Sequence, residues 1–204
     1  MTDPPNAPSG SPTPAAMPQT RPVLRNPAWM RVVGATSEQF ETEQFIASYT
    51  SMARDLAQDF SDDAERPLSA RAMAIRRRVA VQVLSDLQVL RRQAVAGTAY
   101  GDGVRTGSAW KYPVSDRHGR IGELKHPNDG PDGAHRVVDV MGWQYRLYFS
   151  RPDVRPGLML WLQAGRKPID GDWRTIQSAH IELAKATLNQ WHLAQGGPPE
   201  ASRG

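Results

Sequence analysis

Four cationic side chains, Arg136, Arg146, Arg166 and Lys167, fall within a segment rich in strand-forming residues. A guanidinium is charged at every physiological pH and offers a planar fork of donors that matches phosphate oxygens, whereas an ammonium is a compact point charge. Held on rigid strands, such groups can grip RNA phosphates without a metal. Cutting RNA through its own 2′-hydroxyl asks for more. That oxygen must be deprotonated, the phosphorane neutralised and the departing 5′-oxygen protonated. Arginine suits the middle task. His135 stands next to Arg136 and titrates near neutrality, which makes it the candidate proton-transfer group, with His126 behind it. Ordinary uses stand beside these: Arg146, alternating between Tyr145 and Leu147, could face solvent or pair with Asp139 across a hairpin. Arg166 and Lys167, before Pro168, could be turn residues.

The elements that must position these residues can be read from spacing. Trp29 to Val33 is an apolar run suited to an edge strand. Thr36 and Gln39 resemble a capping box, and Phe45, Tyr49, Met52, Leu56 and Phe60 recur at helical spacing, predicting a helix of about 22 residues. Ser69 can cap a second, longer helix whose stripe of Ala72, Ile75, Val79, Val83, Leu87, Leu90 and Ala94 ends at Gly97. The two helices form a hairpin. After a glycine-rich loop from Gly97 to Trp110, strands are predicted over Ile121 to His126, Arg136 to Val140, Tyr145 to Phe149 and Leu158 to Gln163. A meander of antiparallel strands, with a tight connection around Gly142, is the simplest arrangement. Asp172 can cap a final helix, where Ile181, Ala184, Leu188 and Trp191 form a stripe able to cover one sheet face.

The 204-residue chain has room for one core, because a proline-rich stretch takes up part of its length. Residues 1–27, with Pro4, Pro5, Pro8, Pro12, Pro14, Pro18 and Pro22, are expected to be a disordered tail. Residues 28–195 are expected to form the domain, and 196–204 a second tail. Neither an apolar span nor a secretory leader is visible, which predicts a cytoplasmic protein without a membrane partner. The absence of cysteine removes disulfides and thiolate metal sites, and no motif calls for a metal or cofactor. The formal net charge is +4, unevenly spread. From Glu38 to Arg66 there are eight acids against two bases, and from Ser69 to Ala96 six arginines against Asp86. The two helices either neutralise each other or leave Arg76, Arg77, Arg78, Arg91 and Arg92 as a face that steers phosphates.

The predicted order, a strand, a helical hairpin, a three-strand meander and a closing helix, resembles the RelE/ParE/HigB superfamily of bacterial toxins. Local residues carry the likeness. Val83, Leu84, Asp86, Leu87 and Leu90 up to Gly97 are similar to that family's L-x-x-L-x-x-x-G helix end. Gly122-Glu123-Leu124-Lys125 resembles the ELR that follows it in HigB-like members. Tyr145-Arg146-Leu147-Tyr148-Phe149 resembles the YRLVY strand, Gly165-Arg166-Lys167 the motif that ends the last strand, and Ile181 with Ala184 the closing helix. The resemblance implies an α+β, RelE-like domain with an N-terminal strand and helical hairpin, an antiparallel sheet of three to four strands and a C-terminal helix. It further implies a metal-independent endoribonuclease acting on mRNA, with the ribosome as a candidate platform and a cognate antitoxin as partner. In that reading Arg146 stabilises the transition-state phosphate, with Arg136 and Arg166 assisting and Lys125, Lys167 and His126 as the RNA-binding residues. The competing reading is a non-catalytic module of the same fold that binds a protein or nucleic acid.

Overall fold

A computed structural model describes residues 38–58, 69–99, 108–115, 120–126, 142–169 and 171–197. The chain is α+β: among the described residues, five strands form one mixed sheet, and three helices cover it. In chain order these are β1 (Glu38–Glu41), α1 (Glu43–Gln58), α2 (Ala70–Ala96), β2 (Trp110–Lys111), β3 (Ile121–His126), β4 (Trp143–Ser150), β5 (Leu158–Pro168) and α3 (Trp173–Ala194). The sheet order is β1-β5-β4-β3-β2.

Strand alternation explains why helices lie on both faces. Along β4, Tyr145, Leu147 and Phe149 point to one face and join Leu124, Met159, Trp161 and Ala164 against α1 and α2. Tyr148 of β4 points the other way and packs with Ile121, Leu158, Leu160 and Leu162 against Ile181, Ala184, Leu188 and Trp191 of α3. A bulge between Tyr148 and Phe149 sets Phe149 opposite Trp161 and Tyr148 opposite Gln163. Trp161 is completely enclosed, touching the rings of Phe45 and Phe149. Each large side chain hidden in this way stabilises the fold by about 2 to 3 kcal/mol.

The helices begin and end where local chemistry requires. Ser69 accepts from the Ala72 backbone N–H to start α2. At the other end Gly97, at φ 73°, adopts the left-handed conformation that lets its N–H and that of Thr98 reach the Ala94 and Gln93 carbonyls. Along α2 the residues that reach the core are Ala80, Val83, Leu87, Leu90 and Ala94, so Ala72 and Ile75 of the expected stripe do not. The sequence placed the start of α1 too early. Thr42, not Thr36, caps it: Thr42 Oγ1 accepts from the Phe45 N–H and donates to the Trp161 carbonyl, and α1 has 16 residues.

The sheet also differs from a purely antiparallel meander. β1 runs parallel to β5, pairing Glu38 with Leu158 and Glu41 with Trp161, so the sheet has five strands among the described residues and mixed direction. The predicted strands Trp29–Val33 and Arg136–Val140 lie outside the described residues, as do Thr36, the tail 1–27 and, apart from Gly196 and Gly197, the tail 196–204. Among the described residues, β3 pairs directly with β4 and β4 with β5.

Candidate functional site

The register of β3, β4 and β5 brings a group of charged side chains to the sheet face beneath α3. Lys125 pairs with Arg146, Arg146 with Gly165, and Gln144 with Lys167. Glu123 and Lys125 are two residues apart on β3 and therefore share a face, which is also that of Arg146.

The side chains form a connected network. Arg146 Nε lies 3.5 Å from Glu123 Oε2, while its Nη2 donates to Gln144 Oε1 at 2.7 Å and Nη1 to the Tyr145 carbonyl at 2.9 Å. From α3, Gln177 donates to the same Glu123 oxygen at 2.9 Å and accepts from Lys167 Nζ at 2.9 Å. The Lys167 ammonium also sits 4.2 Å above the Trp173 ring. All three ionic groups are enclosed: relative exposures are 4% for Glu123, 6% for Arg146 and 8% for Lys167. Burial, reinforced by the neighbouring Arg146 and Lys125 charges and opposed by Glu123, lowers the Lys167 pKa from 10.5 to about 8.

Two further titratable groups border this network. The Tyr148 hydroxyl is buried without a hydrogen-bond partner among the described residues, and burial together with the Glu123 charge pushes its pKa up. His180 of α3 lies against Gly165 and faces the Tyr148 ring at 6.1 Å between centroids. Its Nδ1 is buried and likewise unpartnered among the described residues, and burial lowers its pKa, so the imidazole is held neutral.

Of the residues that sequence reasoning nominated, the structure brings together Arg146, Lys125 and Lys167. It sends Arg166 and His126 to the opposite face. Arg166 lies 4.2 Å over the Trp143 ring and 3.7 Å from Asp55 of α1. His126 is 3.8 Å from Asp86 of α2, with its pKa lowered chiefly by burial. Arg136, His135 and Asp139 lie outside the described residues. Arg146 does not face solvent; its carboxylate neighbour is Glu123. Sequence reasoning did not nominate Glu123, Gln177, Tyr148 or His180. Strand alternation from Lys125 could have exposed Glu123. Nothing local marks Gln177 or His180.

Chemically, the arrangement sets three cations against one carboxylate, a surplus of positive charge suited to an anion. Among the described residues no helix is long and apolar enough to cross a membrane. Comparison with known proteins finds no family model, no curated protein and no solved structure that matches this chain.

Proposed function

We propose that this chain is a RelE-like toxin domain that cleaves mRNA without a metal, its phosphate-binding centre formed by Arg146, Lys167 and Lys125. The observation that carries the reading is the convergence of these three cations from adjacent strands on one sheet face, with Glu123 holding the Arg146 guanidinium. In the reaction the 2′-oxygen attacks phosphorus, the bond from phosphorus to the 5′-oxygen breaks, and a 2′,3′-cyclic phosphate remains. The Arg146 fork neutralises the phosphorane, where charge is greatest. Lys167, with its pKa near 8, can hand a proton to the 5′-oxygen close to neutral pH. His135 is the candidate to accept the 2′-proton. A cognate antitoxin is the implied partner, since an unrestrained nuclease arrests its own host.

The test is inducible expression in a bacterial host of wild type, Arg146→Ala and Arg146→Lys, with growth followed and transcript 5′ ends mapped. Arrest with new 5′ ends is expected for the wild type and loss of both for Arg146→Ala. Arg146→Lys keeps the charge without the fork and is expected to retain little activity.

One observation favours a second reading, a non-catalytic module that binds a protein or nucleic acid. Arg146 is enclosed by Glu123 and α3, as a structural ion pair would be. Growth arrest without new transcript ends would favour that reading.

A further inference from the structure

The charged network is closed over by one half of one helix, and the two halves of α3 are anchored very differently. All of its buried residues lie from Ile181 onward: Ile181, Ala184, Thr187, Leu188, Trp191 and His192. The preceding segment, Trp173 to Ala179, about 10 Å of helix, contributes none. Its start is weakly fixed too, because Asp172 occupies the N-cap position without a side-chain capping bond and the first turn carries no acid. What holds this segment down is polar: Gln177 bridges Lys167 and Glu123, and the Trp173 indole lies over Lys167. Between the halves, His180 rests in the space left by Gly165.

We propose that Trp173 to Ala179 is a self-occluding lid over the Arg146 centre, latched by Gln177 and Trp173 and pivoting at His180, so that the chain as folded holds its own anion-binding face shut. An approaching phosphate group competes for Lys167 and Arg146 and releases the latch, while the apolar half of α3 stays in place. The occluding role rests on the reading of that face as a phosphate centre; the motion does not.

Amide hydrogen exchange on the full chain tests the motion without RNA, using wild type, Gln177→Ala and Trp173→Ala. The amides of residues 177–179 are expected to exchange at least about tenfold faster than those of 181–192, and faster still in both variants. Labelling of Lys167 by an amine-reactive acetylating reagent is expected to accelerate in parallel. Equal protection across α3 in all three proteins overturns the lid. Binding of a single-stranded 2′-O-methyl oligoribonucleotide, which cannot be cleaved through its 2′-oxygen, reads the functional half by fluorescence anisotropy. A Kd lower by about tenfold in both variants is expected if the latch closes a competent site. Faster exchange with unchanged affinity overturns the phosphate-centre reading and the occluding role with it.

Discussion

The His180 imidazole fills the space that a side chain at position 165 would need: a Cβ on Gly165 would lie 2.6 Å from Nδ1 and 2.7 Å from Nε2. The glycine is therefore required by the close approach of helix to strand. Gly165→Ala is expected to destabilise the fold by about 2 kcal/mol through overpacking. His180→Ala in the same chain should restore most of that loss. Urea denaturation of the two single variants and the double variant measures the coupling, and simple additivity would contradict this packing account.

Glu123 and Arg146 should behave as a buried pair. Removing the cation alone strands a carboxylate that is 4% exposed, so Arg146→Ala is expected to cost about 3 kcal/mol. The double change Glu123→Gln with Arg146→Gln removes both charges of the pair, at the expense of the carboxylate that also faces Lys167, and should recover part of the stability while remaining inactive. Chemical denaturation and an RNA-cleavage assay on the same samples separate the two effects. A double variant as unstable as Arg146→Ala would show that the pair's charge is not what its loss exposes.

Lys167 makes stability depend on alkaline pH in a definite direction. Its folded pKa, about 8, lies below the ordinary 10.5, so between these values the unfolded chain binds a proton that the folded chain has released. Stability contributed by this group therefore rises from pH 8 to about 10.5, and below pH 8 the buried charge is borne in full. Denaturation midpoints of wild type and Lys167→Met across that range should converge as pH rises. A constant gap between the two proteins would show that Lys167 titrates normally.

Thr42 joins two elements at once, capping α1 and hydrogen-bonding β5. Thr42→Ala is expected to cost about 1.5 kcal/mol. Thr42→Ser, which keeps the oxygen, should lose much less, and thermal unfolding of both variants provides the comparison.

The pattern of success in reading the sequence follows the range of the interactions. Ser69 and Gly97 bound α2 through bonds to residues at most five positions away, so composition and spacing located both ends. The Ile181, Ala184, Leu188 and Trp191 stripe was legible because a helix repeats its buried face every three or four residues. β1 was not legible, because Glu38, Gln39, Phe40 and Glu41 are all exposed and the strand is specified by pairing with residues about 120 positions away. Thr42 was missed for the same reason, since its second partner is the Trp161 carbonyl. In the site, Arg146 and Lys125 were found as charge on strands, whereas Lys167 was placed beyond a strand expected to end at Gln163 that in fact runs to Pro168; the split of Arg166 and His126 to the other face follows from alternation that was not carried through. Gln177 acquires its place only when α3 lies across β3 and β5.

The parallel pairing of β1 with β5 governs the timing of assembly. Glu38 to Glu41 have no strand to join until Leu158 to Trp161 exist, and α1 rests on that same strand through Phe45, Ser48 and Trp161. Closing so long a loop is a slow, entropy-limited step. On the ribosome, the first described strand must wait for the last. A nascent chain halted before β5 emerges would carry the Arg146 strand without the Lys167 strand beside it, so the cationic centre forms only once β5 has been made.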